Sequence, residues 1–385
     1  MFNKVSLFRI PTEIRYGFGV AKTVGEVVSS LGSDKVLIVT DKGVINAGLL
    51  EGIEESLKAN KISYEIYDEI EPNPSIQTVE KGLEKLKSME AGVIIAVGGG
   101  SSLDTGKTIG FLATNGGKVP DYEGADKIAK FPLPVIGIPT TAGTGSEVTI
   151  NVVITDRERK YKITVVSPKT ACRVALIDPE MTKSMPPKLT ASTGMDALTH
   201  AIESYTSLMS YPVAATLALE SIKLISKNLR LAVFNGDNLQ ARDNMLMGCL
   251  LASMAFNNTR LGNAHAMSHP LSGFFDVPHG VANAILLPHI MEFNAIAQPD
   301  RFIEIAKAMG ENVDGLTELE AAYKAVEAVK KLSKDVGIPE KLSDVGVKEE
   351  AIEDMAKDAM KSGNILVNPR KTNINDVIEL YKKAM

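Results

Sequence analysis

Cysteine, tryptophan and histidine are all scarce in this sequence: its 385 residues include two Cys, no Trp and five His. Cys172 and Cys249 stand far apart with no CxxC, which excludes a disulfide framework and disfavours a thiolate metal site. No run of about 18 apolar residues exists to span a bilayer. The opening stretch MFNKVSLFRIPTEIRYG is mixed in character and does not read as a signal peptide. Net charge is −5, with no basic block or basic helical face, which argues against nucleic-acid and membrane partners. What remains points to a cytoplasmic, enzyme-sized chain of ordinary globular proportions, 44% apolar and 23% charged, long enough for two domains.

The first half alternates between two periodicities. VLIVT (36–40), VIIAV (93–97), LPVIGIP (133–139) and VALIDP (174–179) are short, β-branched apolar runs of the kind that form buried parallel strands. SYEIYDEI (63–70) alternates like a further strand. AGLLEGIEESLKAN (47–60), SIQTVEKGLEKLKSM (75–89) and SLDTGKTIGFLATN (102–115) carry helical spacing. NVVITDRERKYKITVVSP (151–168) has two apolar arms around a charged tip and predicts a β-hairpin. Beyond Met185-Pro186-Pro187 every segment is helical in pattern. The chain therefore reads as an α/β domain with a parallel sheet over residues 1–187, then an all-helical domain over 188–385.

Two strand-to-helix loops carry binding chemistry. In VIIAVGGGSSLDTGK (93–107) a strand runs into Gly98, Gly99 and Gly100, and then into a helix. Glycines let the backbone approach a ligand closely, and a helix N-terminus offers free N–H groups to a phosphate. The spacing is neither GxGxxG nor a Walker A loop, so a tight turn is the bland alternative. PTTAGTGSE (139–147) also follows a strand and offers the hydroxyls of Thr140, Thr141, Thr144 and Ser146. Asp41, at the end of VLIVT, suits ribose hydroxyls and would repel a 2′-phosphate, though Asp is also a common cap residue.

All five histidines fall between residues 200 and 289. Asp196 and His200 are four apart within a helical pattern, as are His265 and His269, which puts each pair on one face. His279 follows ten residues later. A carboxylate with several imidazoles and no thiolate suits Fe(II), Zn(II) or Mn(II). Spacing alone does not choose which histidines join Asp196. Glu203 lies on the same face as His200 and competes as a ligand or a partner of one. His289, after an apolar run, reads as structural.

The motifs VTDKG (39–43), PNP (72–74), GGGSSLDTGK (98–107), PTTAGTGSEVT (139–149), GMDALTHAIE (194–203) and HAMSHP…PHGVANAILLPH (265–289) together resemble the iron-containing (group III) alcohol dehydrogenases, over essentially the whole chain. Within that family the resemblance is to the lactaldehyde reductase and 1,3-propanediol dehydrogenase branch. It implies the fold shared with dehydroquinate synthase. It also implies NAD-linked interconversion of small primary alcohols or diols with aldehydes at Fe(II), or at Zn(II). The matching metal ligands are Asp196, His200, His265 and His279, and His269 matches a histidine near the nicotinamide and substrate. Gly98, Gly99, Ser101, Thr140, Thr141 and Ser146 match cofactor contacts, with Lys162 at the ribose and Asn73 and Val153 as weaker matches. Asp41 matches the residue that favours NAD over NADP. Homodimers or larger homo-oligomers are implied, with EIRYGFG (13–19) as a candidate joining strand. The segment KSGNILVNPR (361–370), where branch members differ, leaves the substrate open. The rival readings are a glycerol dehydrogenase-like or dehydroquinate synthase-like enzyme and, more remotely, a metal-dependent hydrolase in which the glycine-rich loop is only a turn.

Overall fold

The computed structural model describes residues 5–159 and 161–385. Residues 1–4 of the mixed N-terminal stretch, and Lys160 at the tip of the expected hairpin, lie outside the described residues. The chain divides into two compact units, Ile10–Met185 and Pro186–Met385. The short stretch before Ile10 goes with the helical unit: Arg9 N–H donates to Asn258 Oδ1 at 2.7 Å, and the Tyr211 hydroxyl donates to Leu7 O at 3.0 Å.

The α/β unit contains strands β1 (Glu13–Tyr16), β2 (Lys35–Val39), β3 (Ser63–Tyr67), β4 (Val93–Gly98), β5 (Gly124–Ala125), β6 (Val135–Pro139), β7 (Asn151–Asp156), β8 (Tyr161–Val166) and β9 (Val174–Ile177). Its helices are α1 (Val24–Ser30), α2 (Lys42–Asn46), α3 (Glu51–Ala59), α4 (Ile76–Met89) and α5 (Gly100–Asn115). One sheet has the order β1-β9-β6-β4-β2-β3 with every pairing parallel. Strands covered on both faces must be apolar throughout, and every residue of β4 is buried. Side chains alternate between the faces. Leu37, Val39, Ile94 and Ala96 pack with Val79 of α4 and with Leu103, Ile109 and Phe111 of α5. Val36, Ile38, Val93 and Ile95 pack with Val27 and Val28 of α1 and with Ile53 and Leu57 of α3. The expected hairpin is present as β7 and β8, antiparallel with Ile154 opposite Ile163.

One expectation changes. The helix expected over 47–60 starts only at Glu51, as α3, after a turn over 47–50, and before that turn lies a short helix the spacing did not predict, α2, capped by the Asp41 carboxylate. The EIRY stretch, the candidate joining strand between copies, pairs on one side with β9 of its own chain, Glu13 opposite Val174 through Tyr16 opposite Ile177. It forms the edge of the main sheet.

The helical unit runs α6 (Pro187–Thr206), α7 (Pro212–Phe234), α8 (Leu239–Thr259), α9 (Asn263–Phe275), α10 (His279–Ala295), α11 (Pro299–Ala308), α12 (Glu318–Asp335), α13 (Ile352–Ala359) and α14 (Ile374–Ala384). Among the described residues it holds no strand. Proline opens α6, α7 and α11, where a missing N–H costs nothing. Helix α6 packs against α7, α8 and α10, and every residue from Gly194 to Thr206 is buried. Six of those buried residues are polar or charged, and such groups persist in a core only when partnered. No described helix is long and apolar enough to cross a membrane.

Candidate functional site

The phosphate-type loops belong to the α/β unit. β2 and β4 are neighbours in the sheet although β3 lies between them in sequence, so the winding reverses there. Ligands of such sheets bind beyond the carboxyl ends of the strands at that point. Asp41 follows β2 and the three glycines follow β4. Loop 139–147 follows β6 on the other side of β4, and Thr140 N–H donates to Gly98 O at 3.0 Å. Gly98 has φ of +149°, and a Cβ there would stand 2.5 Å from Ser102 Oγ, so no other residue fits. Helix α5 starts at Gly100, and no side chain caps it. Its first N–H groups and the positive end of its dipole are therefore available to an anion.

The predicted contacts around this loop divide into two sets. Ser101, Thr141 and Thr144 are half-buried beside the glycines, whereas Thr140 is buried. Asp41 does two things at once. Its Oδ1 accepts from Gly43 N–H (2.8 Å) and Val44 N–H (3.1 Å), while its Oδ2 lies 3.4 Å from Ser102 Oγ. Lys162 donates to Asn73 Oδ1, and Asn73 has a left-handed backbone with φ of 56°. The chain thus brings those two residues together. Ser146 and Val153 are drawn inward: Asp104 accepts from the Ser146 hydroxyl through one oxygen and from Val153 N–H (2.9 Å) through the other. The buried Lys107 amine donates to Ser146 O (3.0 Å), Ser146 Oγ (2.9 Å) and Asn151 O (2.6 Å). Two residues of α5 therefore tie loop 139–147 and β7 to the helix that follows the glycines. In sequence Asp104 reads only as one of the residues opening that helix, and nothing marks Lys107. Beside them Glu147 is buried, and burial, against the opposing pull of Lys107, pushes its carboxyl up to about 7.

The histidines gather in the helical unit. Asp196, His200 and Glu203 occupy α6 one turn apart, His265 and His269 occupy α9, and His279 opens α10. Gly280 makes the approach of α10 to α6 possible, since a Cβ there would meet Ser192 O at 2.3 Å. Donor atoms of Asp196, His265 and His279 all lie within 4.8 Å of one another. Asp196 Oδ1 is 3.7 Å from His265 Nε2 and 3.8 Å from His279 Nε2. Ligands of a tetrahedral ion at roughly 2.1 Å stand about 3.4 Å apart, so these spacings fit a divalent ion after a small inward adjustment. His200 is not in that group of three. Its ring stacks between Phe256 (4.5 Å) and His265 (4.4 Å). The His269 ring centre lies 5.4 Å from that of His279, outside the three. His289 is half-buried, and burial lowers its pKa.

Electrostatics ties the cluster together. Burial would raise the Asp196 carboxyl, but His200, His279 and His265 hold it well below the usual carboxylate range. Burial would lower His265, but its hydrogen bonds to Asp196 and Glu203 outweigh this and push it up to about 9. Glu203, an open alternative from sequence, is not among the three converging donors. Its Oε2 lies 2.6 Å from His265 Nδ1, and its Oε1 accepts Ala264 N–H at 2.6 Å. It holds the far side of the His265 ring and caps α9, where Gly262 has no side chain to do so. Asn283, not singled out from sequence, donates through Nδ2 to Asp196 Oδ1 at 2.7 Å. Its only signal was a position one turn beyond His279.

Comparison with known proteins finds relatives along nearly the whole chain. The family model "Iron-containing alcohol dehydrogenase" matches residues 11–179, and "Fe-containing alcohol dehydrogenase family, C-terminal" matches 190–385. The chain is 45% identical to a 1,3-propanediol dehydrogenase of Klebsiella pneumoniae over 98% of each chain. It is 40% identical to an NAD-dependent methanol dehydrogenase of Bacillus methanolicus, over 98% of this chain and 99% of that one. A crystal structure of 1,3-propanediol oxidoreductase superimposes with a TM-score of 0.97 at 44% identity, covering 99% of this chain and 100% of that chain.

Proposed function

The chain belongs to the iron-containing alcohol dehydrogenase family, and from that premise we propose how its residues divide the work. It is an oxidoreductase that interconverts alcohols and aldehydes with NAD(H). The reading of the site is that Asp196, His200, His265 and His279 hold Fe(II). It is carried by one observation, the convergence of a buried carboxylate and two imidazoles, a group that includes no cysteine among the described residues. A divalent ion supplies Lewis acidity toward the alcohol or carbonyl oxygen, and the nicotinamide supplies the hydride chemistry.

The chain's own residues orient and neutralise. Glu203 favours the His265 tautomer with its proton on Nδ1, leaving the Nε2 lone pair for the ion. Gly98, Gly99 and the start of α5 take the pyrophosphate. Thr140, Thr141, Thr144 and Ser101 line that turn, and Asn73 with Lys162 serves the ribose. Ser146 and Val153 act here through Asp104 and Lys107, which hold the loop in place. Asp41 excludes the 2′-phosphate of NADP by like charge. His269, beside His279, passes the released proton toward solvent. An unchanged pH profile of kcat in His269→Ala removes that role. The substrate is a small primary alcohol or diol. A cytoplasmic setting is supported by two buried free cysteines, and a homodimer or larger homo-oligomer by the sheet edge at β1.

The test is to strip the protein of metal anaerobically and add Fe(II) or Zn(II) separately. NADH oxidation is then followed with glycolaldehyde, lactaldehyde, 3-hydroxypropanal and butanal. Activity restored by Fe(II) is expected. Restoration by Zn(II) alone moves the chain toward its zinc-using relatives, and no oxidation with either ion overturns the reading.

A further inference from the structure

We propose that Asn283 is a further residue of the metal centre, one that turns its side-chain carbonyl oxygen to the ion. This rests on reading Asp196, His265 and His279 as metal ligands. Asn283 follows His279 by one turn of α10, and its side chain is completely enclosed. Its Nδ2 donates to Asp196 Oδ1 at 2.7 Å and lies 3.1 Å from both His265 Nε2 and His279 Nε2. The amide thus stands where the three donors converge. Its Oδ1 is buried and accepts no hydrogen bond among the described residues. A buried carbonyl is normally partnered, and each exception asks for an explanation.

The chemistry of the carboxamide supplies one. Its nitrogen and oxygen exchange places by a half turn about the last side-chain bond, with little movement of the other atoms. The N–H end has two protons and suits the lone pairs of the Asp196 carboxylate and of one imidazole. The carbonyl end suits a cation, because a side-chain amide oxygen is a hard donor that divalent ions accept. An apolar residue such as Leu would fill this enclosed space without stranding a carbonyl, so packing alone gives no reason for an amide here. An oxygen that meets the ion accounts both for the amide and for its unmet half.

The experiment uses Co(II) as the probe on metal-stripped full-length protein. Affinity is read by competition with a chromophoric chelator, and coordination by the visible absorption of the bound ion. Asn283→Leu is expected to bind Co(II) about tenfold or more weakly, the range seen when groups supporting a metal site are lost, with an altered spectrum. Asn283→Asp, which puts a charged oxygen at the same point, is expected to bind more tightly than the parent and also to shift the spectrum. Melting followed by circular dichroism establishes that each variant folds. If the Leu variant does not fold, the Asp variant decides. Parental affinity and an unshifted spectrum in the folded variants overturn the proposal while leaving the metal centre intact. A parent protein that binds no Co(II), or whose binding survives Asp196→Ala, overturns the reading of the centre itself.

Discussion

Glu203→Gln tests whether the second layer of the centre governs the first. The parent carboxylate serves Ala264 N–H at 2.6 Å, His265 N–H at 3.4 Å and His265 Nδ1 at 2.6 Å, all buried. Glutamine has nearly the same shape but only one acceptor. If its oxygen keeps the α9 backbone, its NH₂ group faces His265 Nδ1 and can only donate. The ring proton then moves to Nε2, the atom 3.7 Å from Asp196 Oδ1 that would face the ion. If the oxygen turns to Nδ1 instead, the NH₂ group meets backbone N–H donors, and the helix start loses its cap at about 1–3 kcal/mol. Either arrangement should weaken metal binding by about 10–100-fold, or roughly 1.4–2.7 kcal/mol. The assay is chelator competition for Co(II) on parent and variant, with melting of the metal-free forms as the control. The pH dependence carries a second signature. In the metal-free parent the hydrogen bonds to Asp196 and Glu203 outweigh burial and push His265 up to about 9. An incoming ion must displace its proton, so affinity should rise by about tenfold per unit up to that pH. Without the Glu203 contact the rise should level off at lower pH. A folded variant that keeps parental affinity and the parental pH profile would refute the argument.

Three further outcomes follow from the α/β unit. Asp41→Asn keeps an oxygen to cap α2 but removes the charge, so the NADPH/NADH ratio of kcat/KM should rise by about tenfold or more; an unchanged ratio counts against Asp41 as the selector. Lys107→Met removes the buried cation that pairs with Asp104 and serves Ser146 O and Asn151 O, and should cost about 3–5 kcal/mol in urea unfolding, with KM for NADH rising more than kcat falls. Parental values of both would show that the clamp is idle. The raised value of Glu147 means the folded form holds its proton more tightly than the unfolded chain. Its contribution is therefore fully present below about 4.5 and lost as pH rises through about 7. Glu147→Gln should match the parent at pH 4 and exceed it by up to about 3 kcal/mol at pH 8; equal stabilities at pH 8 would show that the buried carboxylate costs nothing.

Much of the α/β unit was legible because parallel strands covered on both faces must be apolar throughout, and helices between them carry one apolar stripe. β4 and α4 read directly for those reasons. The short α2 was not legible from hydrophobic spacing. It exists because Asp41 supplies two hydrogen bonds to its first turn, and one residue's capping does not register in a periodicity count. The EIRY strand was visible as a strand, but its partner was not. Pairing with β9, some 160 residues later, is a consequence of how the whole sheet is ordered.

The Asp and His cluster was legible in its parts, and its assembly was not. Spacing places Asp196, His200 and Glu203 on one face of α6, but a face is an angle on a single helix. Which of those side chains meets His265 depends on where α6 and α9 lie against each other, and that is set by close approaches such as Gly262, at the start of α9, to Glu203. The two readings of Asp41, cap or nucleotide selector, were treated as rivals because a sequence assigns one role per residue. A carboxylate has two oxygens, and here one caps α2 while the other faces Ser102 beside the glycines. The same reasoning applies to Glu203, which joins a helix start to an imidazole, and to Asn283, which has one end satisfied and one not. In each case the function lies in the individual atoms of a bifunctional side chain. The spacing of Asp196, His200 and Glu203 was the signal available beforehand, and their burial in α6 is what the structure adds. A helix enclosed from Gly194 to Thr206 has no reason to carry Asp, His and Glu on one face unless something polar lies against that face.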